Sequence, residues 1–305
     1  MKALALGRLL RISLAPSAVA DILVGLAIGG GGHFPSGFTC LAAVSASLLI
    51  YHGGLALNDW ADREHDGRTR PERPVPSGAI PAGVAFALGF GMMLLGVVLG
   101  SVAEARAWPV ILGVALLAMA YDFFGRGPLR GPLLLGLCRA GNLGFGITVG
   151  MFANQSALDP WRLAPALLYG LYVFSVSRLG RLEDGEDEGP VRERSRPPLL
   201  IASLLLLGAP LIYLVPGLTS APGGLAAATL LCLLASKGLL AKLGTIEHRE
   251  QVGPLMGMAL RRLMVLTAAL GLAAGGPGAG GWLAAGLALL GFPISHLLRR
   301  AFPPS

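Results

Sequence analysis

Three aspartates and an asparagine stand at fixed spacing in one stretch: Asn58, Asp59, Asp62 and Asp66, or N-D-x-x-D-x-x-x-D. On a helix the three aspartates share one face. Like charges on one face repel, so the pattern calls for a cation among them. Carboxylate oxygens suit a hard ion that keeps some waters and bridges to phosphate, which describes Mg²⁺. The competing reading is a solvated acidic loop between two helices. The acids close an apolar run, where polar groups are costly and usually functional, and this favours the metal. Arginines interleave and follow at Arg63, Arg68, Arg70 and Arg73, the last two within R-P-E-R-P-V-P-S-G. Arginine forms bidentate bonds with phosphate oxygens. The prolines predict an ordered, non-helical loop, read as a lid over a diphosphate with Arg73 as its ligand. Arg63 reads as a topological anchor.

Two more polar stretches interrupt apolar sequence. In 119–142, Tyr121 and Asp122 end a run, and Arg126 and Arg130 lie in the short loop after it. Arg139 and Asn142 sit at i and i+3 within the next run, and should face a polar cavity. An Arg139 paired to hold two helices together is an equal alternative. In 177–189 a second acidic cluster holds Glu183, Asp184 and Asp187, spaced E-x-x-x-D or D-x-x-D, with Glu186 and Glu188 read as solvated. Gly185 would weaken a helix there.

The first stretch, Asn58, Asp59, Asp62 and Asp66 followed by Arg70, Pro71, Arg73, Pro74, Pro76, Ser77 and Gly78, resembles the first signature of the UbiA-type intramembrane prenyltransferases. The wording A-L-N-D-W-A-D-R-E-x-D is also similar to the EboC-type subgroup. The resemblance implies an all-α bundle with a nine-helix core, a polyprenyl diphosphate donor held through Mg²⁺, and a small-molecule acceptor. It implies that Arg126, just past Tyr121, helps hold the diphosphate, and that Arg139 and Asn142 match an R-x-x-N of the family. It places a second acidic metal motif after the sixth span, where Glu183, Asp184 and Asp187 stand. Arg178 and Arg181 depart from the pattern there. The implied mechanism is ionisation: Mg²⁺ and arginines neutralise the leaving diphosphate, and an allylic cation forms beside apolar and aromatic walls. Phe123, Phe124, Phe145, Phe152, Tyr169, Tyr172 and Phe174 are candidates for those walls, with core packing as their default reading.

These groups need a membrane to hold them. Of 305 residues, 54% are hydrophobic and only 13% charged, with mean hydropathy +0.67. Soluble domains carry about a quarter charged residues. Apolar runs of bilayer-spanning length fall near 14–32, 37–57, 80–102, 107–124, 131–153, 162–180, 197–217, 222–243, 253–275 and 280–298. They make one transmembrane domain over 1–305, with polar loops at 58–80 and 181–196. Against a nine-helix core, the extra run is an addition or lies flat on the membrane. Every Lys and Arg except Arg106 and Arg162 falls on one side. The positive-inside rule sets both acidic loops in the cytoplasm, in the cell (inner) membrane. The net charge of +7 then reflects topology and diphosphate binding, not nucleic acid.

The basic N-terminus and its apolar run read as a retained first helix rather than a signal peptide, since no small-residue cleavage site stands out. Cys40, Cys138 and Cys232 form neither metal spacing nor disulfide framework. The glycine runs at 29–32 and 275–281 read as outer turns, not phosphate loops. A CDP-alcohol phosphotransferase shares D-x-x-x-D-G at 62–67, but the chain then turns to the Arg/Pro loop. A transporter or non-catalytic lipid-binding protein would account for the spans and buried charges, but not for the aspartates followed by that loop.

Overall fold

The computed structural model describes residues 2–125, 127–183, 190–214, 218, 220–274 and 279–302. Among them there is no strand. The helices are α1 (Lys2–Leu9), α2 (Ala15–Gly29), α3 (Gly37–Ala61), α4 (Arg63–Thr69), α5 (Ala82–Ala103), α6 (Trp108–Phe124), α7 (Arg130–Ala153), α8 (Ala164–Glu183), α9 (Val191–Gly208), α10 (Pro222–Leu240), α11 (Val252–Ala273) and α12 (Gly280–Ala301). With their flanking 3₁₀ turns, ten of these are long and apolar enough to cross a membrane. The run near 280–298 is therefore a helix of spanning length, α12. The helix expected from 197 begins earlier, at Val191, and carries Pro197 and Pro198 inside it.

Glycine sets how closely the helices that carry the site approach. A Cβ on Gly53 of α3 would meet the Gly89 carbonyl of α5 at 2.7 Å, and one on Gly89 would meet the Gly53 carbonyl at 2.8 Å. Gly25 of α2 stands in the same relation to α7, where its Cβ would meet the Gly146 Cα at 2.9 Å. Without a hydrophobic drive between helices in lipid, such close backbone contact is a main source of cohesion. Many large apolar side chains correspondingly point outward, among them Leu94, Leu116, Leu171 and Leu234.

Ser36 caps α3, its hydroxyl accepting from the Thr39 N–H at 3.1 Å. The helix runs to Ala61 and breaks at Asp62, from which α4 restarts. Aspartate competes for backbone bonds and favours such junctions. The polar stretch 58–80 is thus loop only beyond Thr69, because proline first appears at Pro71. That loop is ordered. Ile80 N–H bonds the Pro74 carbonyl at 2.9 Å, Gly78 takes φ +74°, and Val75 and Ile80 are buried with Leu9, Ala56 and Ala85. On the opposite face Arg106 donates to the Phe152 carbonyl at 2.6 Å and to Glu104 at 2.9 Å. That hydrogen bond holds the Glu104 carboxyl below its usual range.

The last helix closes on the first part of the chain. α12 packs against α2 and α11, Ser295 donates to the Ser13 carbonyl at 2.8 Å, and Phe302 lies against Gly7.

Candidate functional site

Two guanidinium groups, of Arg11 and Arg73, stand against the aspartate face. Asp59 is fully buried and takes Arg11 Nη2 at 2.8 Å on Oδ1, with Arg73 Nη1 4.0 Å from the same oxygen. Arg73 bonds Asp66 at 2.5 Å. Asp59 and Asp66 do share a face, and Arg73 bridges them. Asp62 accepts from Asn58 Nδ2 at 3.2 Å. Arg73 is itself buried, held between the carboxylates rather than raised as an open lid.

A cavity of about 370 Å³ opens beside these residues. Asn58, Arg11, Tyr121 and Asp122 form its polar mouth, and Leu14, Ile50, Leu55, Val114, Leu135, Val173, Leu260 and Leu263 its apolar body. Asp122 lies within electrostatic reach of both Asp62 and Asp59. Its Oδ2 and the Oδ2 of Asp59 are buried without a hydrogen-bond partner. Buried carboxylate oxygens left bare are costly and call for a ligand. They are hard donors of the kind Mg²⁺ takes, and Mg²⁺ is commonly held by one or two carboxylates plus substrate phosphates, not by a full protein cage. Among the described residues no group of three acids, histidines or cysteines is gathered around one point. The donor set therefore fits Mg²⁺ shared with a diphosphate.

Deeper in, Arg139 and Asn142 meet a buried acid on α2. Arg139 Nη1 lies 2.9 Å from Asp21 Oδ2, Asn142 Nδ2 donates to the same oxygen at 3.2 Å, and Tyr169 OH donates to Oδ1 at 2.6 Å. Ser47 donates to Asn142 Oδ1 at 2.7 Å. Both readings of Arg139 hold at once. It ties α7 to α2, and with Asn142 it lines the cavity, its guanidinium 5.2 Å from the Tyr51 ring centre.

Of the other sequence-expected residues, Tyr121 lines the cavity, whereas Arg130 is exposed at the start of α7. Arg126, Asp184 and Asp187, and the Glu183 side chain, lie outside the described residues. Arg178 and Arg181 brace the loop after α6, donating to the Pro128 carbonyl at 2.9 Å and the Gly125 carbonyl at 3.1 Å. None of the seven aromatic wall candidates lines the cavity. Phe145, Tyr169 and Tyr172 are core, and Phe123 and Phe124 are exposed on the outer surface; the cavity's aromatics are Tyr51 and Tyr121. Helical spacing cannot distinguish an aromatic that faces a cavity from one that fills a core. Sequence reasoning missed Arg11, Asp21 and Asp122 as parts of the site. Asp21 and Asp122 carried a signal, since each is an acid inside or at the end of an apolar run.

The sequence and the fold both have known relatives. A family model described as the UbiA prenyltransferase family matches residues 18–256. The chain is 29% identical over 255 residues to a digeranylgeranylglyceryl phosphate synthase of Methanothrix thermoacetophila, covering 81% of this chain and 93% of that protein. A solved structure concerned with digeranylgeranylglyceryl phosphate synthase in membranes superposes with TM-score 0.65 at 18% identity, over 90% of this chain and 98% of that one. A UbiA homologue from Archaeoglobus fulgidus, solved with GPP and Mg²⁺, superposes with TM-score 0.61 at 13% identity, over 87% and 99% of the two chains. At these identities the structures establish likeness of fold.

Proposed function

The chain belongs to the UbiA prenyltransferase family, and from that premise we propose that it transfers an isoprenyl group from a polyprenyl diphosphate to a small-molecule acceptor at the cavity between Asp59, Asp122 and Arg139. The observation that carries this assignment is the pair of bare, buried carboxylate oxygens of Asp59 and Asp122, with Asp122 and the neighbouring Asn58 lining a mostly apolar chamber. A diphosphate brought there by Mg²⁺ leaves its hydrocarbon chain in apolar surroundings.

Asn58, Asp59, Asp62 and Asp122 are the residues that would hold Mg²⁺, with Asp66 held by Arg73. Glu183, Asp184 and Asp187 are proposed as the second acidic metal group. Bound Mg²⁺ supplies neutralisation of the charge that builds on the departing diphosphate. Arg11 and Arg73 already stand among the aspartates and are proposed to share that charge, as are Arg126 and Arg130, which follow α6 in the sequence. The C1–O bond of the donor breaks with its electron pair leaving on the diphosphate. The acceptor's nucleophilic atom then bonds to C1 and gives up its proton. Tyr51 and Tyr121 flank the space where positive charge develops, where an aromatic face is favourable. Tyr121, Arg139 and Asn142 are proposed to position the substrates.

The chain is a multi-pass membrane protein. We place the polar stretches 58–80 and 181–196 of this single unit on the cytoplasmic side of the cell membrane, from the asymmetry of Lys and Arg between the two sides of the chain. The test is purified protein in nanodiscs, supplied with geranyl, farnesyl or geranylgeranyl diphosphate and a panel of acceptors. Mg²⁺-dependent diphosphate release and prenylated product by mass spectrometry are expected. Turnover in Asp59→Asn and Asp122→Asn equal to wild type would remove the assignment.

A further inference from the structure

The corner between α1 and α2 is held by a side chain of α3. His52 is buried, and its Nδ1 lies 2.6 Å from the Leu10 carbonyl oxygen. A carbonyl only accepts, so Nδ1 carries a proton and donates it. That carbonyl is an orphan of the end of α1. A continuing helix would offer it the Leu14 N–H, but Leu14 bonds the Arg11 carbonyl instead, at 2.9 Å. A buried imidazole is costly unless its polar atoms find partners, and the partner here is the corner, not the cavity, which His52 does not line.

Arg11 follows Leu10, and it is the residue in the left-handed region, at φ 46° and ψ 49°. The peptide joining the two is planar, so holding its oxygen holds the plane about which the Arg11 φ turns. Leu9, buried with Ala56, Val75 and Ile80, fixes where the segment lies but not how that plane is turned. The His52 bond supplies that direction. Asp59 stands two helical turns beyond His52, on the same face of α3. Two consecutive residues of the corner are thus fastened to one face of α3 at two heights. Leu10 is held through its carbonyl by His52, and Arg11 through its guanidinium by Asp59 at 2.8 Å. Arg11, unlike His52, lines the cavity.

We infer that His52 is a positioning residue for Arg11: by holding the Leu10 carbonyl it fixes the left-handed turn from which Arg11 reaches Asp59 and the mouth of the cavity. That a diphosphate meets Arg11 there rests on the prenyl-transfer reading above. The dependence of Arg11 on His52 rests on the geometry of the corner.

The test compares wild type, His52→Asn, His52→Gln and Arg11→Gln in nanodiscs by their affinity for geranylgeranyl thiolodiphosphate with Mg²⁺. Asparagine carries an N–H as far along its side chain as Nδ1 of histidine, and glutamine carries it one bond further out. His52→Gln should weaken binding about 10-fold, and His52→Asn should stay within about twofold of wild type. Beside Arg11→Gln the two His52 variants should bind alike, because nothing is left to position. Wild-type affinity in His52→Gln overturns the inference. So does a His52→Asn as weak as His52→Gln, or a loss that persists undiminished without Arg11. Should His52→Gln not fold, nitrogen NMR of histidine-labelled wild type decides: a His52 ring protonated at Nδ1 supports the bond, and a bare Nδ1 overturns it. If wild type binds no thiolodiphosphate, the donor reading falls, and the thermal unfolding midpoints of the same proteins decide on His52. His52→Gln should lower the midpoint more in the wild-type chain than beside Arg11→Gln, and equal shifts overturn the coupling.

Discussion

Arg11 holds a left-handed backbone conformation, φ 46°, and from it delivers its guanidinium to Asp59 Oδ1, 48 residues along the chain, at 2.8 Å. A non-glycine residue in that region costs of order 1–3 kcal/mol and persists only where its surroundings demand it. Here the surroundings are a fully buried carboxylate that otherwise has only the more distant Arg73 for neutralisation.

Arg11→Ala should therefore leave a buried charge poorly compensated, at a cost of about 3–5 kcal/mol, read as a lower midpoint of thermal unfolding in detergent. Adding Asp59→Asn should recover much of that stability but none of the diphosphate release. Recovery of both together would mean that Asp59 serves only as Arg11's structural partner.

Asp122→Asn keeps the shape of the site and removes a charge from the bare oxygen. The concentration of Mg²⁺ needed for half-maximal turnover should rise about 10–100-fold, the scale seen when groups supporting a metal are lost. The unfolding midpoint should hold or increase. An unchanged Mg²⁺ dependence would exclude Asp122 from the metal's surroundings.

Asp21, Arg139 and Asn142 act as one unit. Asp21→Asn and Arg139→Gln should each destabilise the fold, and together cost less than their sum. A coupling energy of about 0.5–3 kcal/mol is expected from residues in one network. Additive effects in the double-mutant cycle would show that the 2.9 Å pair carries no energy of its own.

Gly53→Ala pushes a methyl onto the Gly89 carbonyl and should cost about 1–3 kcal/mol by overpacking. Activity should fall with it, since α3 carries Asn58 and Asp59. Gly91→Ala, two residues further along α5, meets nothing within 4 Å and should be neutral or stabilising by about 1 kcal/mol through helix propensity. Equal effects at the two sites would mean that the α3–α5 seam does not constrain the bundle.

The proposed orientation makes a separate prediction. In a chain whose Cys40, Cys138 and Cys232 are changed to Ala, a membrane-impermeant maleimide should label Ala157→Cys from outside intact cells. It should label Ser77→Cys only after lysis. Both positions are exposed, so the reversed pattern would invert the topology.

The spans were legible because a bilayer demands about twenty apolar residues per crossing, and a run of that length seldom serves any purpose but to cross one. The Asn58–Asp66 spacing was legible for a similar reason, since buried acids on one face need a counter-charge. What spacing could not disclose was which charge answers. Arg73 lies seven residues from Asp66, but Arg11, Asp21 and Asp122 reach the site only through the packing of α2, α3, α6 and α7. Core packing, the default reading of the aromatic wall candidates, holds for Phe145, Tyr169 and Tyr172; spacing could not say more, because a helix presents its rings at the same period whether they face a chamber, a core or lipid. The prolines of 70–81 announced an ordered loop, yet not that Arg73 would turn inward and be buried.

The seam between α12 and the opening segment has a consequence for biosynthesis. Ser13, Gly7 and Pro16 emerge from the ribosome long before Ser295, Phe302 and Gly291, the groups that cover them. While translation continues, the earliest helices must wait in the bilayer with that flank open, so the flank closes only when α12 inserts. A chain released before α12 would leave the cavity beside Ser17 and Met264 without the wall that Phe292 and Ser295 supply.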